Sequence, residues 1–297
     1  EAMLKAGWKN LLLVARDRRG NIKGGLLSSY KTYSFLLMNI IPSLSAVGGP
    51  VVYDLSDNDL LEMILSAFDV EAKKLGALHS FIRSFFPLDQ ILVGHLNYKI
   101  ERDRLPCTVI LDLTKPTEDL WKNMNKRGRW GVRKAEKAGV VVEEGGFDDL
   151  LMYHKIHAST CKRLGIPPTS LQTFRSLWKN LSCRNNIKLF LAKYKSKPIA
   201  GCVILRWRTR MWYYHSDSLK EYWNLNAGHA LQWHVIRWGK ENGVGIYDLL
   251  GIPCKGDEAH PKHGLYLFKT QFGGKIVRHG EYVKHHFRLR SVLFKKL

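Results

Sequence analysis

An internal repeat limits what this chain can fold into more than any other feature. Residues 13–27 read LVARDRRGNIKGGLL and residues 190–204 read FLAKYKSKPIAGCVI. They align without a gap, with Ala15 meeting Ala192, Ile22 meeting Ile199 and Gly24 meeting Gly201. Each is an apolar run, a polar turn and a second apolar run, the pattern of a β-hairpin. The same offset carries YSFLLMN (33–39) onto RMWYYHS (210–216), a third strand in each copy. A helix follows in each half. Asp59 to Gly76 holds Leu60, Ile64, Ala67 and Val70 at helical spacing, and Asn226 to Gly243 holds Ala230, Leu231, Val235 and Trp238. Each has a polar residue near its start and a glycine at its end, as helix caps prefer. β-rich segments come next, LHSFIRSFF (78–86) and GIYDLLGIP (245–253). Four elements in the same order imply a duplication.

Hairpin, strand, helix, strand builds a mixed sheet with helices packed on it, an α/β fold. It is the element order of the acyltransferase fold that uses acetyl-CoA, so the expectation is two tandem GNAT-like units. The boundary falls near Arg104-Leu105-Pro106, giving a first domain over 1–105 and a second over 106–297. CTVILDLT (107–114) reads as the strand that opens the second domain. A basic helix from about Glu118 to Ala138 stops at Gly139, the strand VVVEE follows, and a further helix runs from about Phe147 to Arg163.

The chain has 297 residues, with 47 Lys and Arg against 26 Asp and Glu, a net charge of +21. Such an excess suits nucleic acid, an acidic membrane face or an anionic substrate. The five cysteines, Cys107, Cys161, Cys183, Cys202 and Cys254, are odd in number and form no CxxC. That argues against a disulfide framework or a zinc site and for a reducing cytosol. His260 and His263 lack a partner cluster, so no metal is expected there. Thr32 to Tyr53 carries no charge, but Asn39, Pro42 and Gly48-Gly49-Pro50 speak against a spanning helix. Strand, loop and turn are expected, with at most surface contact to lipid.

Three stretches, LWKNMNKRGRWGVRKAEKAGVVVEE (120–144), GLYLFKTQFGG (264–274) and GGPVVYD (48–54), resemble the FemABX family in identity and in order. The family transfers an amino acid from aminoacyl-tRNA onto the peptide stem of a cell-wall precursor, using two acyltransferase-like domains. No long heptad run is present, so the resemblance is to the form without a coiled-coil arm. It implies an aminoacyl-tRNA donor, an anionic cell-wall precursor (nucleotide- or lipid-linked) as acceptor, and no cofactor. A monomer is expected, placed in the cytoplasm or at the inner face of the membrane.

The resemblance also implies roles. Lys269 of the Phe-Lys pair would stabilise the developing oxyanion, as a fixed cation in a water-poor site can. Phe268 would shape the pocket or stack on the terminal adenine. Asp54 would position the acceptor amine or take its proton. Lys5, Arg163, Arg175, Tyr214 and Ser216 are candidates for the acceptor site, although Lys179 stands where the family often has a tyrosine after Arg175. Lys126, Arg129, Arg133 and Lys137 form one positive stripe on the basic helix, either simply solvated or suited to phosphates, which the resemblance implies are those of tRNA.

Two other readings stay open. One is an acyl-CoA N-acyltransferase, although Trp223-Asn224-Leu225-Asn226-Ala227-Gly228 departs from the usual pyrophosphate loop. The other is a non-catalytic nucleic-acid-binding protein.

Overall fold

The computed structural model of the chain describes residues 7–35, 38–84, 88–100 and 107–286. The chain divides into two compact units. One is Met3–Pro106 with Arg278–Leu297, and the other is Cys107–Val277 together with Glu1–Ala2.

The first unit opens with the expected hairpin, β1 (Trp8–Arg16) on β2 (Ile22–Lys31). Its third strand lies later than the repeat implied. Tyr33–Phe35 (β3) folds back on Met38–Ile40, the start of β4 (Met38–Gly48), and it is β4 that pairs with β2. A small hairpin therefore interrupts the gap-free alignment. The described residues of the uncharged stretch 32–53 are strand and turn, ending in β5 (Val51–Val52). Gly49 turns the chain at φ 74°, where a Cβ would stand 2.9 Å from the Ser84 side chain.

Helix α1 (Asn58–Lys74) starts where the Asp57 side chain accepts from Leu60 N at 3.0 Å. It buries Leu61, Ile64, Leu65, Phe68 and Ala72, while Ala67 and Val70 face outward. The apolar stripe thus begins one residue later than the Leu60 series suggested. Strand β6 (Ala77–Ser84) then runs parallel to β4. β7 (Lys99–Ile100) and β15 (Gly280–His285) complete the order β1-β2-β4-β6-β15-β7.

The place of β15 corrects the expectation of a second domain running to 297. This strand pairs with β6 and β7 in the first sheet. Tyr282 is fully buried there, its hydroxyl accepting from Leu88 N at 2.5 Å, and Lys284 reaches the Asp69 carboxylate at 3.0 Å.

In the second unit, β8 (Cys107–Asp112) precedes two helices, α2 (Thr117–Asn123) and α3 (Lys126–Lys137), where one was expected. Met124 is extended, and the Asn125 side chain caps α3 by accepting from Gly128 N at 2.7 Å. β9 (Val140–Gly145), α4 (Leu150–Leu164), α5 (Leu171–Leu181), β10 (Ile187–Tyr194), β11 (Lys197–Trp207), β12 (Arg210–Ser218), α6 (Ala227–Glu241), β13 (Ile246–Asp248), α7 (His263–Lys269) and β14 (Lys275–Arg278) follow. The sheet order is β14-β8-β13-β12-β11-β10-β9. Both faces are covered. Val132, Ala135, Leu231 and Val235 pack one side, and Tyr153 and Phe174 pack Leu189, Leu191 and Val203 on the other. Each unit repeats one topology: hairpin, antiparallel third strand, helix, parallel fourth strand.

Gly128 and Gly131 weaken a free helix, but here they let α3 approach its neighbours. A Cβ on Gly131 would lie 2.6 Å from the His229 ring, and one on Gly128 would lie 2.7 Å from Gln271 O. Alanine at an ordinary helical glycine gains about 1 kcal/mol. At Gly131 the clash should outweigh that gain, with a net loss of about 1–2 kcal/mol. Urea unfolding of Gly131→Ala checks this, since a raised midpoint would mean that α3 does not pack this closely.

Candidate active site

The second sheet opens at one place. β12 and β13 run parallel only where Arg210–Trp212 pairs with Ile246–Asp248. Beyond that the chain after β13 turns to β8, with Leu249 N donating to Val109 O and Ile252 exchanging hydrogen bonds with Cys107. Tyr213–Ser218 is left on one side of the opening and Leu249–Ile252 on the other.

Lys269, the last residue of α7, is buried against the second side. Its Nζ donates to Leu250 O at 3.1 Å and Gly251 O at 3.0 Å. Two carbonyls leave one of its three N–H donors for a further acceptor. Burial pulls its pKa down from 10.5 to about 8, partly offset by the nearby Asp248 charge. At neutral pH this is a cation in a dry setting with no carboxylate in direct contact.

The two carbonyls are presented by a strained turn. Leu250 has φ 58°, rare for a bulky residue and most often kept where surroundings force it. Asp248 does part of the forcing. It is fully buried and accepts from Leu250 N at 2.9 Å, from Thr108 Oγ1 at 2.5 Å and from Arg210 Nη2 at 3.3 Å. On the far side of the turn a Cys107–Cys254 disulfide ties the segment to β8. This corrects the expectation that no disulfide forms. Cysteine count and spacing cannot register two residues 147 positions apart that the sheet makes neighbours. An isolated acid in the apolar run IYDLLG was the available signal for Asp248.

Phe268 packs edge-on to His229 at 5.3 Å and to Phe272 at 5.2 Å, over Gly228 at the start of α6. His229 Nε2 bonds the Gln271 Oε1 at 3.0 Å. Burial lowers the His229 pKa, opposed by that bond. Phe268 is half-buried and shapes the wall beside Lys269.

Across the opening, Tyr214 and Ser216 are both exposed on β12, and Ser216 Oγ accepts from the Tyr213 hydroxyl. Arg163 lies near the end of the same strand, donating to Ser218 O at 3.2 Å and stacked 4.7 Å over Trp223. Arg175 lies on α5 over the Phe147 ring at 5.9 Å. The stripe on α3 is divided in its use. Arg129 donates to Lys122 O and Met124 O, closing the end of α2, and Arg133 covers Trp121 at 5.5 Å. Lys126 and Lys137 are exposed.

Asp54 belongs to the first unit and is exposed. Its Oδ1 accepts from Ser56 N at 2.8 Å and Ser56 Oγ at 2.7 Å, which lowers its pKa. That is the wiring of a turn, and it makes the carboxylate a weaker base. Lys5 lies outside the described residues.

A buried polar group on the other face of the second sheet resembles a metal site. His157, His215 and Asp217 bring ligand atoms within 4.8 Å of one another. The wiring of His157 opposes an ion. Thr169 N–H donates to its Nε2 at 3.0 Å, so Nδ1 carries the proton and donates to Asp217 Oδ2 at 3.0 Å. Tyr153 donates to the same oxygen at 2.6 Å. Cys161 Sγ lies 3.5 and 3.8 Å from the two ring nitrogens, and burial raises its thiol pKa. The cluster ties α4, β12 and the α4–α5 loop together.

A family model described as an acetyltransferase (GNAT) domain matches residues 122–262. A lipid II:glycine glycyltransferase of Staphylococcus haemolyticus is 20% identical over 88% of this chain and 80% of its own length. The same-named protein of Staphylococcus saprophyticus is 19% identical over 56% of this chain, which spans about half of that relative, 55%. Among solved structures, FemX aligns over 100% of this chain and 92% of its own, with TM-score 0.79 and 18% identity. A tandem GNAT protein from the clavulanic acid pathway aligns over 94% and 83%, with TM-score 0.59 and 9% identity. The tandem acyltransferase architecture is thereby shared.

Proposed function

We propose, from its homology to lipid II:glycine glycyltransferases and its place with the FemABX family, that this chain transfers an amino acid from aminoacyl-tRNA to an amine of a peptidoglycan precursor. Glycine is the amino acid its relatives' names favour, and a lipid-linked muropeptide the acceptor.

The observation that carries the reading is Lys269, a buried cation held by two carbonyls beside the opening between β12 and β13. In the proposed step the acceptor's neutral amine attacks the ester carbonyl of the charged tRNA. A C–N bond forms, and the carbonyl oxygen becomes an oxyanion facing the remaining Lys269 N–H. Collapse breaks the bond to the ribose oxygen, which takes a proton as the amine nitrogen loses one. The ester is already activated, so the balance needs no ATP. A preorganised donor in a water-poor site needs no reorganisation as the charge develops. Tyr214, Ser216 and Arg163 would face the acceptor, and Lys126 and Lys137 the tRNA phosphates.

The product tests the reading. Incubated with labelled glycyl-tRNA and a lipid-linked muropeptide, the protein should add a glycyl residue to the acceptor, seen by mass spectrometry. An unmodified acceptor with every aminoacyl-tRNA supplied would refute it.

A further inference from the structure

The first sheet has two faces of opposite chemistry. One lies under α1 and holds Ala15, Leu26, Leu44 and Ile82 in the core. On the other, the strand register lines up aliphatic side chains in rows. Leu12 stands opposite Leu27, and the register set by Ser29 and Ser45 places Val47 on the far side of Leu27. Two residues along, Val14 stands opposite Gly25, and Gly25 opposite Val51. Leu12, Leu27, Val47 and Val51 are 64%, 58%, 66% and 73% exposed. The result is a flat grid of five aliphatic side chains with a glycine in its sixth position. Contiguous apolar surface of this kind marks an interaction site, whereas scattered exposed residues do not.

Its charge is one-sided. β1, β2, β4 and β5 contain Lys9, Arg16, Lys23 and Lys31 and no Asp or Glu. Strand alternation puts Arg16 on the face of Leu12 and Val14, and Lys31 on the face of Leu27. Lys23 stands at the bulge beside Arg16. Asp17, in the β1–β2 turn, is occupied by Asn21 and Arg19 N and pairs with Lys23 at 3.6 Å. At the other end Lys31 lies 5.4 Å over Tyr33, and Trp8 is its cross-strand partner. An aliphatic centre with cations and aromatic rings at its margin suits the boundary between lipid tails and anionic headgroups.

We propose that this face docks the protein on an anionic lipid bilayer. A second copy fits it poorly, because like faces would bring Arg16 and Lys31 onto one another with no acid on these strands to meet them, and Glu281, further along the same face, is buried and paired with Arg83. Aliphatic residues without hydrogen-bonding groups select apolar material and no particular polar sequence. The cations add attraction to an anionic surface. The inference deepens the reading above, and its link to a lipid-linked acceptor rests on that reading. The surface itself stands on the grid and its charges.

Co-sedimentation of the intact chain with vesicles tests it, without donor or acceptor. Phosphatidylglycerol–phosphatidylcholine vesicles should bind the protein, and pure phosphatidylcholine should bind it far less. The variant Leu12→Thr/Leu27→Thr/Val47→Thr keeps strand-favouring residues at exposed positions, and should weaken binding at least about tenfold. Arg16→Gln/Lys31→Gln should remove most of the preference for phosphatidylglycerol. Transfer to a soluble nucleotide-linked acceptor, read in parallel, should not change in the triple variant. If the unaltered protein transfers to neither the nucleotide-linked nor the lipid-linked acceptor, the functional reading falls and the vesicle result still decides the surface. Wild-type protein that ignores anionic vesicles, or a triple variant that binds as well, would overturn the proposal. So would a dimer in analytical ultracentrifugation that the triple variant dissolves, since a second copy would then cover the face.

Discussion

Lys269→Met should lower kcat for transfer about 10²–10³-fold with KM for the charged tRNA little changed, the loss typical of one oxyanion donor. Methionine fills a similar volume and removes the charge, so the Leu250–Gly251 turn is left in place. In the unaltered protein the rate per neutral acceptor amine should fall as pH rises through about 8, where Lys269 gives up its proton. A lysine acting as a neutral base would give the opposite slope. The stability linkage has its own sign. The folded pKa lies below the ordinary 10.5, so between about 8 and 10.5 the unfolded chain holds the extra proton. Over that window the burial penalty of Lys269 relaxes and stability rises with pH. Activity and stability should therefore diverge on the alkaline side, which separates loss of the cation from simple unfolding. A rate per neutral acceptor amine that stays flat to pH 10, or a Lys269→Met variant at full rate, would remove Lys269 from the chemistry.

The second large effect concerns architecture. Deleting residues from Arg278 onward should unfold the first unit. The deletion removes β15 from between β6 and β7, empties the site of fully buried Tyr282 and leaves Asp69 without Lys284. Loss of one large buried aromatic costs about 3–5 kcal/mol, and each lost ladder hydrogen bond about 1 kcal/mol. Together these approach the whole stability of an ordinary domain, about 5–15 kcal/mol. Hydrogen-exchange mass spectrometry should show protection lost across β1, β2, β4 and β6 and kept in Cys107–Val277. Protection retained in the first sheet would mean that β15 is dispensable.

The duplication was legible because a hairpin and an amphipathic helix leave local patterns, and these stand in the same order in both halves. Elements set by distant partners were not legible. β15 reads as an ordinary strand in the C-terminal region, and nothing local says which sheet it joins. The third strand of the first unit was placed too early because Tyr33–Phe35 is itself a strand, paired with Met38–Ile40. Met124 and Asn125 divide the basic helix through one cap that periodicity alone does not reveal. At the candidate site, Phe268 and Lys269 stand out only through the resemblance of GLYLFKTQFGG to the FemABX family. Asp248, the strained Leu250 and the Cys107–Cys254 link emerge only when β8 and β13 lie side by side. The basic stripe reads as uniform in sequence, yet Arg129 hydrogen-bonds the end of α2 and Arg133, itself exposed, lies over the Trp121 ring, while Lys126 and Lys137 are exposed.

One paired assay decides the identity of the donor. The purified protein is given a muropeptide acceptor with either labelled aminoacyl-tRNA or labelled acetyl-CoA, without ATP. Label should reach the acceptor from the charged tRNA and not from acetyl-CoA, and the first signal should be lost in Lys269→Met. Label from acetyl-CoA with none from any charged tRNA would contradict the proposed donor and make the protein an acyl-CoA transferase on the same fold.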